Sequence, residues 1–160
     1  YGHFFIEHNR GHHVRVATPD DPASSRLGES FWEFLPRTVW GSLTSSLHLE
    51  RVRLERVGHG FWSFRNDVFN AWAMTLVLFA VLVAIFGIEV LPWLIIQAIV
   101  GFSLLEVVNY LEHYGLLRQW DSEKDRYELC RPEHSWNSDN VASNVFLYHL
   151  QRHSDHHANP

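Results

Sequence analysis

The chain has 160 residues, one domain or part of one by length; it is 46% hydrophobic and 19% charged, with a formal net charge of −5. These figures exclude a disordered tail, a collagen-like repeat and a basic nucleic-acid binder. The one cysteine, Cys130, excludes an internal disulfide, a zinc ribbon and a self-contained iron–sulfur site.

In chain order, residues 1–13 are aromatic and rich in histidine. Residues 17–30 hold Pro19, Pro22, Gly28 and several Asp and Ser, which reads as a loop. Residues 31–57 carry Phe31, Trp32, Phe34, Leu35, Val39, Trp40, Leu43 and Leu47, followed by Arg and Glu. That pattern predicts amphipathic helical segments, broken near Pro36 and lying in the plane of a membrane interface.

The clearest signal follows. No charged residue occurs from Val68 to Ile88, and Val90–Leu105 is again uncharged. About twenty helical residues span the roughly 30 Å hydrocarbon core, so the runs predict two transmembrane helices, near 68–88 and 91–111, joined by a tight reversal at Glu89. All 13 Lys and Arg lie outside residues 66–117. Both flanks are therefore expected on the cytoplasmic side, with Glu89 on the other. The fold class expected is all-α, a polytopic membrane helical bundle with a cytoplasmic His-rich site. Tyr1 at one end and a dense His motif beside the other lead to the expectation of an internal fragment of a longer protein.

Twelve histidines are out of proportion to the length. Glu7-His8-Asn9-Arg10-Gly11-His12-His13 places His8 and His12 on one face of a helix. His153, His156 and His157 recur at i, i+3 and i+4, and His149 extends their stripe by one turn. His113 stands where the second apolar run ends. Lone His3, His48 and His59 read as surface or interface residues. Packing many imidazoles together without a metal leaves ring nitrogens unsatisfied, so the clusters predict metal binding. The His-Glu-x-x-His of zinc peptidases and the Glu-x-x-His of soluble di-iron bundles are absent, and a structural zinc needs only four ligands. The ligand count predicts two metal ions. Imidazole suits iron, copper, zinc and nickel, so ligand type leaves the metal open. A binuclear site at a membrane favours redox chemistry on an apolar substrate. Glu7, Glu112, Asp139 and Asp155 are candidates to orient the rings. Glu106, Asn109 and His113 share one helical stripe, with Glu112 about 100° away to serve another ring.

Three strings carry a resemblance to a known family. Leu150-Gln151-Arg152-His153-Ser154-Asp155-His156-His157-Ala158 resembles the last His box of the membrane-bound alkane hydroxylases. Asn109-Tyr110-Leu111-Glu112-His113-Tyr114-Gly115-Leu116 resembles their His-Tyr-Gly motif, and Glu7-His8 through His12-His13 their middle box. The runs 17–26 and 134–138 are also similar to the family, so the resemblance extends along essentially the whole chain. It implies a non-haem di-iron enzyme of the cytoplasmic membrane that hydroxylates the terminal carbon of n-alkanes with O₂. Electrons would come from rubredoxin and its reductase. The implied iron ligands are His8, His12, His13, His113, His153, His156 and His157. The family's first His box is not in this chain, which implies that the fragment alone is inactive. Membrane fatty-acid desaturases share the His-box pattern, so a desaturase or related hydroxylase is one alternative. A membrane metal-binding or transport protein is another, although transport calls for ionisable residues at mid-membrane, and the apolar runs hold only Glu106 and Asn109 near one end. No dinucleotide fingerprint, Walker motif or Cys quartet is present, so the electron donor is expected to be a separate protein.

Overall fold

A computed structural model describes residues 1–158. It is largely helical, in the order α1 (Phe4–Glu7), a π-helical turn (His8–His12), α2 (His13–Arg15), α3 (Phe31–Arg56), α4 (Asp67–Phe86), a 3₁₀ turn (Ile88–Val90), α5 (Leu91–His113), a two-stranded antiparallel ribbon of β1 (Trp120–Asp121) and β2 (Arg126–Tyr127), a 3₁₀ turn (Pro132–His134), α6 (Val141–Phe146) and α7 (His153–Ala158). The ribbon pairs Trp120 with Tyr127 and is a small departure from an all-α chain. Residues Tyr1–Gly11 and Trp40–Leu105 form one compact unit. His12–Val39 and the described residues from Glu106 onward form a second.

Helix α3 starts at a capping box. Ser30 Oγ and its N–H both donate to Glu33 Oε2, at 2.7 and 2.9 Å. The break expected near Pro36 does not occur, and the helix runs unbroken for 26 residues. Proline removes one i→i−4 bond, here to the Trp32 carbonyl. Pro36 and Trp32 are both exposed, and the twenty residues beyond keep their own ladder. The buried stripe of α3 is Phe34, Thr38, Ser42, Ser46, Glu50 and Leu54, each four residues from the last. It is more polar than an ordinary core face.

In the first unit, Glu50 joins α3 to α4. Its buried carboxylate accepts from Arg10 Nη1 at 3.1 Å, from Arg53, and from the backbone N–H of Asp67 at 2.6 Å. Asn66 caps α4, accepting from the N–H groups of Val68 and Phe69. Gly87, at φ +85°, ends α4, and the 3₁₀ turn carries the chain into α5. Both α4 and α5 are long and apolar enough to cross a membrane. Met74, Leu76, Val77, Ile85, Trp93 and Ile96 are all at least half exposed, far more apolar surface than a water-facing helix presents. His3 departs from its expected surface position. It is 6% exposed, edge-on to Trp72, and burial lowers its pKa to about 4. His48 is exposed, and half-buried His59 meets Arg65 at 2.8 Å.

Candidate metal centre

The second unit gathers histidines from three distant parts of the sequence. His12 comes from the end of the π-helical turn, His113 from the last turn of α5, and His153 and His157 from successive turns of α7. All four are at least 97% buried. Their Nε2 atoms converge: His153 to His157 at 2.8 Å, His153 to His113 at 3.1 Å, and His12 to His157 at 3.2 Å. One nitrogen from each of the four lies within 4.8 Å of all the others. Adjacent ligands of a tetrahedral ion with bonds of about 2.0 Å stand about 3.3 Å apart, close to these separations.

Two carboxylates stand beside these rings. Asp21 Oδ2 lies 2.8 Å from His12 Nδ1, and Glu112 Oε2 lies 3.1 Å from His153 Nδ1. A neutral imidazole has one N–H and one lone pair. With the His12 N–H directed at Asp21, the Nε2 of that ring carries its lone pair toward the centre of the cluster. Converging lone pairs repel unless they share a cation, and carboxylate-held imidazole is the usual support of a metal ligand. The donor set therefore fits a bound metal ion.

The protonation balance agrees. Burial first, then the rings of His12, His153, His113 and His13, lowers the His157 pKa and keeps that ring neutral, as ligation requires. His13 and His156 stand beside the four, their ring centroids 4.6 Å apart. Burial and the neighbouring His156 and His12 lower the His13 pKa to about 4, and burial with His12 lowers that of His156. Burial would raise the Asp21 carboxyl, but the facing His12, the Ser24 hydroxyl and the Ala23 N–H outweigh it and hold it below the usual range.

A shell of loop contacts holds this arrangement. Ser24 Oγ donates to Asp21 Oδ2 at 2.5 Å and accepts from the Ala17 N–H at 2.8 Å. Ala17 is fully buried at φ +54°, a left-handed conformation costly for a residue other than glycine. Its carbonyl accepts from the Arg118 N–H at 2.7 Å, and the Arg118 guanidinium donates to the carbonyls of Val14 and Glu128. On the other side, Asn137 accepts from the Ser154 N–H and donates to its Oγ, while the Trp136 N–H bonds the Glu112 carbonyl. The segments 17–26 and 134–138 thus tie α7 and the end of α5 to the loop after α2.

Among the residues singled out from sequence, His12, His113, His153 and His157 meet, with His13 and His156 adjacent. His8 and Glu7 belong to the first unit; Glu7 is buried, and the His8 ring stacks on Phe4 at 5.3 Å. His8–His12 is a π-helical rather than an α-helical turn, a widening common at functional sites. Glu112 meets His153. Asp155 and Asp139 are exposed. His149 does not extend the α7 stripe: it is exposed at φ +67° in the turn before the helix, 3.3 Å from Asn144. Glu106 and Asn109 are buried and bonded to each other at 3.3 Å, and Thr38 donates to Glu106 at 3.0 Å. Sequence reasoning passed over Asp21. Nothing local separates it from Asp20, yet Asp21 is buried and Asp20 exposed.

Comparison with known proteins gives a consistent result. The chain is 54% identical over 160 residues to the alkane 1-monooxygenase of Acinetobacter baylyi, 53% to that of Ectopseudomonas oleovorans and 51% to that of Pseudomonas putida. Each alignment takes in all of this chain but only 39–40% of the relative's length. A xylene/toluene monooxygenase hydroxylase component of Pseudomonas putida is 25% identical over 152 residues. The fatty acid desaturase family profile matches residues 1–160 from end to end, and the chain belongs to that family.

Proposed function

We propose that the protein carrying this chain is a membrane-bound, non-haem di-iron monooxygenase that hydroxylates the terminal carbon of n-alkanes. The carrying observation is the buried set of four imidazoles with inward Nε2 atoms, on a chain 51–54% identical to alkane 1-monooxygenases. The overall reaction converts R–CH₃, O₂, two electrons and two protons to R–CH₂OH and water. Bound iron would supply the redox chemistry with O₂ that an unactivated C–H bond demands.

The chain's own residues prepare the site. His12, His113, His153 and His157 offer neutral nitrogens. Asp21 holds the ring of His12 in orientation and balances positive charge with its own, and Glu112 stands beside the His153 ring. His13 and His156 offer two more imidazoles beside the four, and for His8 the support is its motif. Burial of the cluster excludes bulk water, which strengthens the electrostatic interactions among its groups and limits side reactions. Helices α4 and α5 anchor the chain in the cytoplasmic membrane with the metal centre on the cytoplasmic side. Rubredoxin, itself reduced by its reductase, is the electron donor proposed for that face.

The test is metal analysis and product identification on the full-length protein. About two irons per chain and a primary alcohol from an n-alkane, dependent on reduced rubredoxin, are the expected results. An alkene product would make it a desaturase. Metal binding with no oxidised product would leave a metal-binding or transport protein.

A further inference from the structure

The loop between α3 and α4, residues 57–66, presents large aromatic side chains to the outside, at the N-terminal end of a helix long enough to cross a membrane. Trp62 is 83% and Phe64 99% exposed. Hydrogen bonds fix the loop in this form. Asn66 Nδ2 donates to the Phe61 carbonyl at 2.9 Å, Asn70 Nδ2 to the Phe64 carbonyl at 3.0 Å, and Arg53 Nη2 to the Arg65 carbonyl at 2.6 Å. Trp62 stacks on Phe69 of α4 at 5.4 Å, and Phe61 meets both rings edge-on. Guanidinium groups flank these rings. Arg51 lies over the Phe61 ring at 5.1 Å, and Arg65 Nη1 meets His59 Nε2 at 2.8 Å. Arg51, Arg56 and Arg65 are exposed, and among the described residues none of the three forms an ion pair. Glu50 and Asp67 are already taken by Arg10 and Arg53. Exposed Glu55 is then the one carboxylate between residues 50 and 67 left to offset three cations.

A groove of about 630 Å³ begins at Asn70, the residue bonded to the Phe64 carbonyl, and follows α4 past Ala73, Met74, Val77 and Leu78 to Val81. Eleven helical steps of about 1.5 Å make it about 16 Å long, the depth of one leaflet of a hydrocarbon core roughly 30 Å thick. Beyond Asn70 its lining is wholly apolar. Exposed Trp and Phe suit the headgroup boundary of a bilayer, and a guanidinium fork suits phosphate oxygens. A zwitterionic lipid carries its own ammonium and gains little from excess positive charge, whereas an anionic one gains with each arginine near the surface. We propose that the loop and the groove bind an anionic phospholipid of the phosphatidylglycerol kind, its phosphodiester held by Arg51 and Arg65 and one acyl chain lying along α4. The residues involved all belong to the first compact unit. The site is separate from the imidazole cluster and shares with the proposed function only the membrane setting of α4.

The experiment uses the full-length protein, delipidated in a non-ionic detergent, with lipid binding measured by native mass spectrometry. Dipalmitoyl phosphatidylglycerol is compared with dipalmitoyl phosphatidylcholine, which has the same acyl chains. The wild type is expected to bind the anionic lipid more tightly. Arg51→Gln and Arg65→Gln should each weaken that binding about fivefold, the worth of one arginine at an anionic lipid surface, and leave phosphatidylcholine unchanged. Lysine at either position keeps the charge and should keep most of the preference. Arg131→Gln, at an exposed arginine of the second unit, should change nothing. Val77→Trp, which obstructs the groove, should weaken both lipids. Equal wild-type affinity for the two lipids overturns the proposal. So does an unchanged phosphatidylglycerol affinity in the Arg51→Gln/Arg65→Gln double variant, the result expected if another segment of the full-length protein covers this face. Inorganic phosphate should displace the lipid no better than sodium chloride of equal ionic strength; specific displacement would make this a free-phosphate site and overturn the lipid assignment. Octane hydroxylation by a protein with no preference for phosphatidylglycerol would leave the reaction and remove the site. An arginine-dependent preference without hydroxylation would leave the site and remove the reaction.

Discussion

Replacing Asp21 by asparagine keeps the size and shape of the side chain and removes its charge. In the native arrangement the carboxylate accepts three bonds: from His12 Nδ1 at 2.8 Å, Ser24 Oγ at 2.5 Å and the Ala23 N–H at 3.1 Å. An asparagine oxygen in the place of Oδ2 can still accept from His12 and Ser24, but the amide NH₂ then takes the place of Oδ1 and faces the Ala23 N–H, donor against donor. The His12 ring loses the anion that fixes its tautomer and raises its basicity. Loss of such a partner weakens metal binding by about 10- to 100-fold, or about 1.4–2.8 kcal/mol. Asp21→Ala should do worse, because three buried donors lose their acceptor. The assay is competition for iron against a chelator of known affinity in the full-length protein, with Asp20→Asn as the exposed neighbour control. Wild-type affinity in Asp21→Asn, or an equal loss in Asp20→Asn, would refute the reasoning.

Three further outcomes are expected. His113→Ala should lower bound iron and abolish hydroxylation while the protein still inserts in the membrane; full iron occupancy with retained activity would make His113 structural. Glu50→Leu should destabilise the first unit by about 1.5–3 kcal/mol, the scale of a hydrogen bond to a charged group, read as a lower thermal midpoint with little change in metal affinity at the second unit. Glu29 receives a two-pronged bond from Arg37, at 2.7 and 2.8 Å, which holds its carboxyl below the usual range. Its contribution should therefore be complete above about pH 4.3 and vanish as acid takes the pH through the lowered folded value. Glu29→Gln should remove that part of the acid transition in a pH-dependent unfolding series, and an unchanged acid limb would contradict the pairing.

Two kinds of feature were legible from the amino-acid sequence alone. The charge-free runs that became α4 and α5 depend only on local composition, because a helix that satisfies its own backbone can be recognised without knowing its neighbours. The His doublets and the His-Tyr-Gly string were legible because ligand spacing on a helix is also local. Tertiary structure decided the rest. His12 meets His157 across 145 residues of sequence and His153 meets His113 across 40, separations over which no periodicity operates. Asp21 and Asp20 are chemically the same residue, and only the fold of the 17–25 loop buries one and leaves the other in water. Pro36 carried a local signal for a break, but an exposed proline costs one hydrogen bond, and the capping box before it and the ladder after it outweigh that cost. Gln151 stood inside a recognised motif with nothing to mark it. Its burial, with its amide donating to the Asn140 carbonyl, is something that packing alone creates.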